Sequence, residues 1–469
     1  MASQEGPHRA ILSEDIITLV FEYAAQADVT HYEIPMSISQ TCRQWRQVAL
    51  NITALWCRFD IVVDVRKWRR APYVHLLQAL LPRSKSHPLY FSLHFCANTL
   101  DGVAVSVEPG GISEKEARHR ETYAANVMRL LLACQARWRE ATILFFSTGL
   151  PRNFTAKLHD TSDLEKLEVS YDVKGTRCPL FAEESDIGLV PIYALQPEKD
   201  VAFPRLKSLV LRIPGLLATA VQSLFIVLQH TPDIRTLLVS HHRVDMFMDL
   251  DARVVVPQLP HLREITWNVS AFFMALLLTR LHVPALQELH VGSPDIGILL
   301  DVCIRWLRMQ RTIGRLTGLH MDFDGLSEFE GGNAGYQAMT ILTDTMSLER
   351  LYLNEPFVGY DRAEAFWRLL AMPGHSGHAV EVCPALTFLS VKFSTSVPND
   401  YKPFVQMLAF RARDERFRAL VELTLQSEVS GMVRESMVEE AESFRAECVA
   451  VGLPVVEVDG SALQFRIPA

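Results

Sequence analysis

The sequence predicts an α/β protein: a small N-terminal all-helical unit followed by an irregular solenoid of parallel strands and helices. Three observations predict it. One short apolar phrase, L-x-x-L-x-L, recurs nine times between Leu164 and Leu425. Amphipathic helical stretches separate many of the repeats. The first sixty residues lack the phrase and carry helical periodicity instead.

Composition fits this class. Of 469 residues, 49% are hydrophobic and 21% charged, a globular balance with ample apolar area for a continuous core. A domain usually takes about 100 to 200 residues, so the length fits several domains or one elongated array. The net charge of −8, from 46 basic and 54 acidic residues, provides no reservoir of cations for phosphate-backbone binding. Nucleic acid is therefore not an expected partner. The eight cysteines stand singly, with no C-x-x-C pair, as buried thiols in a reducing compartment do.

The N-terminus, MASQEGPHRA, has no apolar core of a secretory signal. The most apolar run, Ala271 to Leu278, is stopped by Arg280 and His282, well short of the roughly 18 residues of a membrane span. The expectation is a cytoplasmic or nuclear protein without a membrane partner.

In chain order, a first helix is predicted from about Glu14 to Gln26, capped by Ser13, with Glu14 and Asp15 in its first turn. Its apolar positions Ile16, Ile17, Val20, Phe21 and Ala24 recur at steps of a helical face. Pro35 starts a second helix running to about Leu50, on which Ile38, Cys42, Trp45 and Ala49 share a side. Asn51 and Thr53 end it, and Ala54, Leu55 and Trp56 begin a third short element. So small a unit is marginal alone, and its apolar surface meets either another protein or the remainder of this chain.

The order Leu12-Ser13-Glu14-Asp15-Ile16, Thr41-Cys42-Arg43-Gln44-Trp45 and Leu55-Trp56 resembles an F-box. That module holds substrate receptors in ubiquitin ligases of the Skp-cullin-F-box type. Ser13 and Thr41 stand where the family has Pro and Val, and the loop from Ala27 to Ile34 is longer than usual. The resemblance implies adaptor contacts at Leu12, Ile16, Ile17, Val20, Trp45, Leu55 and Trp56, some of which hold the helices together instead.

Residues 61–87 read as a linker helix region between a helical unit at 8–60 and the repeats from 88 to 469. The run Arg66-Lys67-Trp68-Arg69-Arg70 is more often a solvated face than a base-stacking site. Tyr73 to Leu81 is predicted helical, Leu89 to Leu93 a strand, Val127 to Cys134 a helix and Ala141 to Phe146 a strand.

The repeats start at Leu164, Leu206, Ile234, Leu262, Leu286, Leu316, Leu348, Leu386 and Leu420. Starts at 206, 234, 262 and 286 step by 28, 28 and 24, the spacing of leucine-rich repeats, and later starts step by 30, 32, 38 and 34. Alternation sends the last two apolar residues of each phrase inward. Each unit leaves an apolar face for the next to cover, so the array needs a cap, expected from about residue 431. A doubly wound nucleotide-binding sheet is the competing reading, and no G-x-G-x-x-G or P-loop supports it.

With Ser86-His87-Pro88-Leu89, Arg137-Trp138-Arg139 and strands introduced by Pro204, Pro260, Pro284 and Pro384, nearly the whole chain resembles the F-box proteins with degenerate leucine-rich repeats of mushroom-forming (basidiomycete) fungi. The resemblance implies a non-catalytic receptor. Its partners would be a Skp-type adaptor, a cullin-RING ligase and an unidentified protein substrate. A protein-interaction scaffold that no longer binds the adaptor is the alternative, and an enzyme a more distant one.

No metal, cofactor or catalytic site is expected. His375, His378 and Cys383 lack the paired spacing and fourth ligand of a zinc site. Asp322, Asp324, Glu328 and Glu330 lack the third acid and distant glutamate of a calcium loop. His241 and His242, with Asp245, Asp249 and Asp251, carry no hydrolase or metalloprotease signature. Insertions at 171–200, 322–338 and 354–382 are expected to line one recognition rim.

Overall fold

The structure is a computed structural model. It describes residues 13–26, 33–96, 99–100, 103–104, 113–145, 161–171, 203–213, 224, 227–241, 257–269, 278, 280–292, 296–323, 328–354, 363–371, 382–393, 402–424, 431–454, 456–458 and 462–467. Two compact units divide the chain, residues 1–231 and 232–469.

The first unit begins with α1 (Glu14–Gln26), α2 (Glu33–Thr41) and α3 (Arg43–Asn51), followed by a 3-10 turn, Thr53–Trp56. Ser13 caps α1, its Oγ accepting from Ile16 N at 3.3 Å. The single second helix expected from Pro35 to Leu50 is two helices. At Cys42 the backbone is extended (φ −155°, ψ 172°), and its Sγ accepts from Trp45 N at 3.4 Å. A thiol that satisfies one of the free amides of a new helix start is what breaks the run.

Then come β1 (Arg58–Asp64), α4 (Pro72–Arg83), β2 (Leu89–Cys96), a small antiparallel hairpin of β3 (Thr99–Leu100) and β4 (Val103–Ala104), and α5 (Glu114–Leu132). They are followed by β5 (Trp138–Phe145), β6 (Lys166–Tyr171) and β7 (Ser208–Ile213). Strands β1, β2, β5, β6 and β7 lie side by side, all parallel. The sheet therefore starts at Arg58, at the end of the stretch read as the helical unit, and its first strand runs on into the stretch read as a linker. Because Phe59, Ile61 and Val63 alternate with Asp60 and Val62, β1 already offers the same inward face as the later strands. One buried row runs through Ile61, Leu93, Ile143, Val169 and Leu211 at matched register.

The second unit holds β8 (Thr236–His241), β9 (Glu264–Asn268), β10 (Glu288–Gly292), α6 (Ile296–Gln310), β11 (Gly318–Asp322), α7 (Glu328–Asp344), β12 (Arg350–Asn354) and α8 (Ala363–Ala371). It continues with β13 (Phe388–Phe393), α9 (Lys402–Arg411), β14 (Arg418–Thr424), α10 (Gly431–Ala450), β15 (Val456–Val458) and β16 (Ala462–Ile467). From β8 to β14 neighbours in sequence order pair in parallel; β16 then pairs antiparallel with β14 and with β15. Leu237, Ile265, Leu289, Leu319 and Leu351 form one buried row, and Val239, Trp267, Val291, Met321 and Leu353 the next.

The first leucine of the phrase has its own job. The amides of Leu164, Leu206, Leu262, Leu286, Leu316, Leu348 and Leu386 each donate to the carbonyl three residues earlier, closing a turn, while the side chain is buried. The ninth phrase departs from expectation. In β14 the register sets Leu389 against Ala419 and Val391 against Val421, so Leu420 faces outward and buried Phe417 closes the turn through Asp414. A shift of one residue exchanges the faces of a strand, and buried Ala419 and Val421 set the face here.

The 322–338 insertion is not a plain loop, because α7 starts at Glu328; likewise α8 lies within 354–382. The 171–200 stretch falls, apart from Tyr171, outside the described residues, as do His375 and His378, and as do His242, Asp245, Asp249 and Asp251. The C-terminal helix expected from about 431 is α10. No helix among the described residues is long and apolar enough to cross a membrane.

Candidate docking surface

Helix α1 has two apolar faces with different fates. Ile17 and Phe21 turn inward and are 2% and 1% exposed. The Phe21 ring meets Trp45 edge-on at 5.3 Å, joining α1 to α3. Ile16, Leu19, Val20 and Tyr23 sit on the other side, 48%, 65%, 55% and 78% exposed. Their spacing of three, four and seven residues makes one continuous stripe. Four large apolar side chains thus lie in one row on the outer side of α1.

The three-helix unit is held together beneath that stripe. Leu55 and Trp56 are buried, and Trp56 Nε1 donates to Ala49 O at 2.9 Å, satisfying one of the last carbonyls of α3. The Arg83 guanidinium, from α4, lies 4.6 Å over the Trp56 ring. Arg46 Nε donates to Ser39 O at 2.8 Å, binding α3 back to α2.

Of the seven residues to which the resemblance gives adaptor contacts, Ile16 and Val20 are open to solvent. Trp45 is half-buried against Phe21, Ile17, Leu55 and Trp56 lie inside the chain's own core, and Leu12 is outside the described residues. Leu19 and Tyr23 belong to the exposed stripe and were not singled out. The signal was present, since both continue the helical spacing of Ile16 and Val20.

The Arg137-Trp138 step and Asp64 have structural roles. Arg137 donates to the end of α4 at Ser84 Oγ and to His87 O at 3.0 Å, and buried Trp138 donates through Nε1 to Leu131 O at 3.1 Å. Asp64 is nearly buried and caps the turn after β1. Burial alone would raise its carboxyl, but hydrogen bonds from Arg66 and the charges of Arg66 and Lys67 outweigh that and hold it below the usual range.

The outward-facing strand residues form two different surfaces. In the first unit they are charge pairs: Arg139 to Glu165 at 2.7 Å, Lys207 to Glu165 at 2.5 Å and Arg212 to Glu168 at 3.0 Å. Exposed pairs of this kind contribute little stability each. Ser92, His94 and Asp60 also gather there, with Ser92 Oγ 2.7 Å and Asp60 Oδ1 3.9 Å from His94. Both approach the same nitrogen, Nε2, so the histidine does not relay a proton between them as a triad requires. In the second unit the middle row is aromatic: His290, His320, Tyr352 and Phe388 follow one another at ring separations of 5.1, 5.6 and 5.3 Å.

His320 is held below the ordinary histidine range, first by burial and then by His290, with Asp322 opposing. The unfolded chain therefore takes up this proton before the folded one does as pH falls. Stability is expected to be unaffected by His320 above about pH 6.5 and to decline below it. Comparing melting temperatures at pH 7.5 and 5.5, His320→Asn should show a smaller acid loss than the wild type. His290, Asp322 and Tyr352 remain in both proteins, so the difference isolates His320.

The five buried thiols are held in their protonated, unreactive form. Burial raises Cys57 and Cys96 to about 11 and Cys383 and Cys448 to about 12, and pushes Cys303 higher still.

No protein-family model matches this chain, and no curated protein matches its sequence. The fold and the two surfaces, an apolar helix stripe and the outward face of a parallel α/β sheet, define it as an α/β protein of repeated strands.

Proposed function

We propose that this chain is the substrate-recognition subunit of a ubiquitin ligase of the Skp-cullin-F-box type. Its helical start is the F-box, docking on a Skp-type adaptor through the exposed stripe of α1. The strand repeats form the leucine-rich-repeat solenoid that binds a protein substrate and raises its effective concentration at the ligase. The chain itself is non-catalytic, and ligase chemistry belongs to the partner subunits. It acts in the cytoplasm, the nucleus or both.

The observation that carries this reading is the division of α1. Ile17 and Phe21 close the three-helix core, while Ile16, Leu19, Val20 and Tyr23 remain outside it in one row. Apolar anchors grouped on a rigid helix are the usual source of binding energy in a helical interface.

A pull-down with purified Skp-type adaptor tests it. Wild type is expected to bind, and Leu19→Asp/Val20→Asp to lose binding by tenfold or more with an unchanged circular dichroism spectrum and melting temperature. If the wild type captures no more adaptor than this variant, the chain is an interaction scaffold without a ligase.

A further inference from the structure

We propose that Glu264, Glu288 and His290 form a site for one divalent transition-metal ion of the zinc class on the outward face of the second unit. Glu264 and Glu288 are register partners on β9 and β10, and His290 follows Glu288 by two residues, so all three project from one face. Their donor atoms lie within 4.8 Å of one another. His290 Nε2 faces Glu264 Oε1 at 4.0 Å and Glu288 Oε2 at 3.8 Å.

These separations are too long for hydrogen bonds, so the imidazole is aimed at two carboxylates without bonding to either. A zinc ion takes such ligands at about 2.0 to 2.2 Å, which places tetrahedral donors about 3.3 Å apart. Rotation of two partly exposed glutamate side chains covers the difference. The two carboxylates carry two negative charges, one of them offset by the Arg350 guanidinium beside Glu288, and the imidazole favours zinc, copper or nickel over calcium or magnesium. Three protein donors leave a fourth position for water.

The strands on either side prepare the cluster. Gly318 of β11 places no side chain between β10 and β12; a Cβ there would stand 3.1 Å from Glu288 Cγ. Arg350 of β12 reaches across that gap to Glu288 Oε1 at 2.5 Å. The guanidinium thus holds one oxygen of Glu288 and leaves the other toward His290, the outer-shell arrangement that orients metal ligands.

The alternative occupant is a proton. A protonated His290 between two glutamates would satisfy the same geometry with no ion bound. Chelator-treated full-length protein with Cys42→Ser, which removes the one exposed thiol among the described residues, is titrated with zinc by calorimetry, alongside the same protein carrying Glu264→Gln or His290→Ala. One ion per chain is expected, with affinity at least tenfold weaker in either variant at unchanged melting temperature. No binding, or binding that both variants retain, overturns the proposal. A second measurement needs neither variant to fold. The His290 ring resonances, followed by NMR at fixed pH as zinc is added to one equivalent, should shift or broaden; ring resonances that do not respond to zinc overturn the site.

Discussion

Trp56→Ala is expected to destabilise the first unit by about 3 to 5 kcal/mol, the cost of emptying a fully buried tryptophan site. The ring is 1% exposed, and three things go with it. The indole volume is lost, the bond from Nε1 to Ala49 O is lost, and Arg83 loses the face it covers. Urea unfolding followed by circular dichroism measures the change. Trp45→Ala, at a half-buried ring, should cost clearly less. The comparison bears on the adaptor reading as well. A Leu55→Ala/Trp56→Ala protein that fails to bind has lost its core, whereas Leu19→Asp/Val20→Asp alters only a surface that water already reaches.

Arg411→Ala is the second large expected loss, on the order of 3 kcal/mol or more in the second unit, because hydrogen bonds from a charged donor are each worth about 1.5 to 3 kcal/mol. Arg411 is 8% exposed at the end of α9. Its Nε donates to Leu370 O at 3.0 Å, Nη1 to Cys383 O at 3.2 Å and Nη2 to Val382 O at 2.7 Å. The guanidinium therefore terminates α8 and fixes the turn at Cys383, whose φ of 48° a thiol-bearing residue adopts only when the surroundings hold it. Removing the donor leaves carbonyls buried without it. Arg411→Lys, with one head group in place of a planar fork, should recover only part of the loss. Urea unfolding of the full chain, followed by circular dichroism, reads both.

The repeats were legible because burial on a strand imposes period two, and the leading leucine imposes a turn three residues long. Eight of nine phrases place their strands as written. In the ninth only the leading position misled: the register sets Leu423 on the face of Ala419 and Val421, as the phrase requires, whereas Leu420 falls opposite Ser390 and Phe417 takes the turn. Strand β1 was passed over for the opposite reason: it carries the alternation but no leading leucine. Helix α1 was legible to the residue, yet the break between α2 and α3 was not, since nothing in a sequence announces that a cysteine will cap. Sequence alone also did not divide Ile16 from Ile17. Which of two adjacent isoleucines is interior depends on where α3 and Trp45 lie. The cluster of Glu264, Glu288 and His290 was invisible for a related reason, its members being spaced by the step between repeats and joined only by strand register.

The two terminal strands carry a consequence for self-association. An edge strand offers unpaired backbone amides and carbonyls to any other chain, and a long flat apolar one seeds fibres. β1 ends the strand order in the first unit, yet Arg58, Asp60 and Asp64 interrupt its apolar residues with charge. In the second unit β16 turns back antiparallel, and the strand beyond it, β15, is three residues long with Glu457 at its centre. Each unit thus places charge, or a strand too short to template another, at the position in the strand order where a further strand would otherwise add.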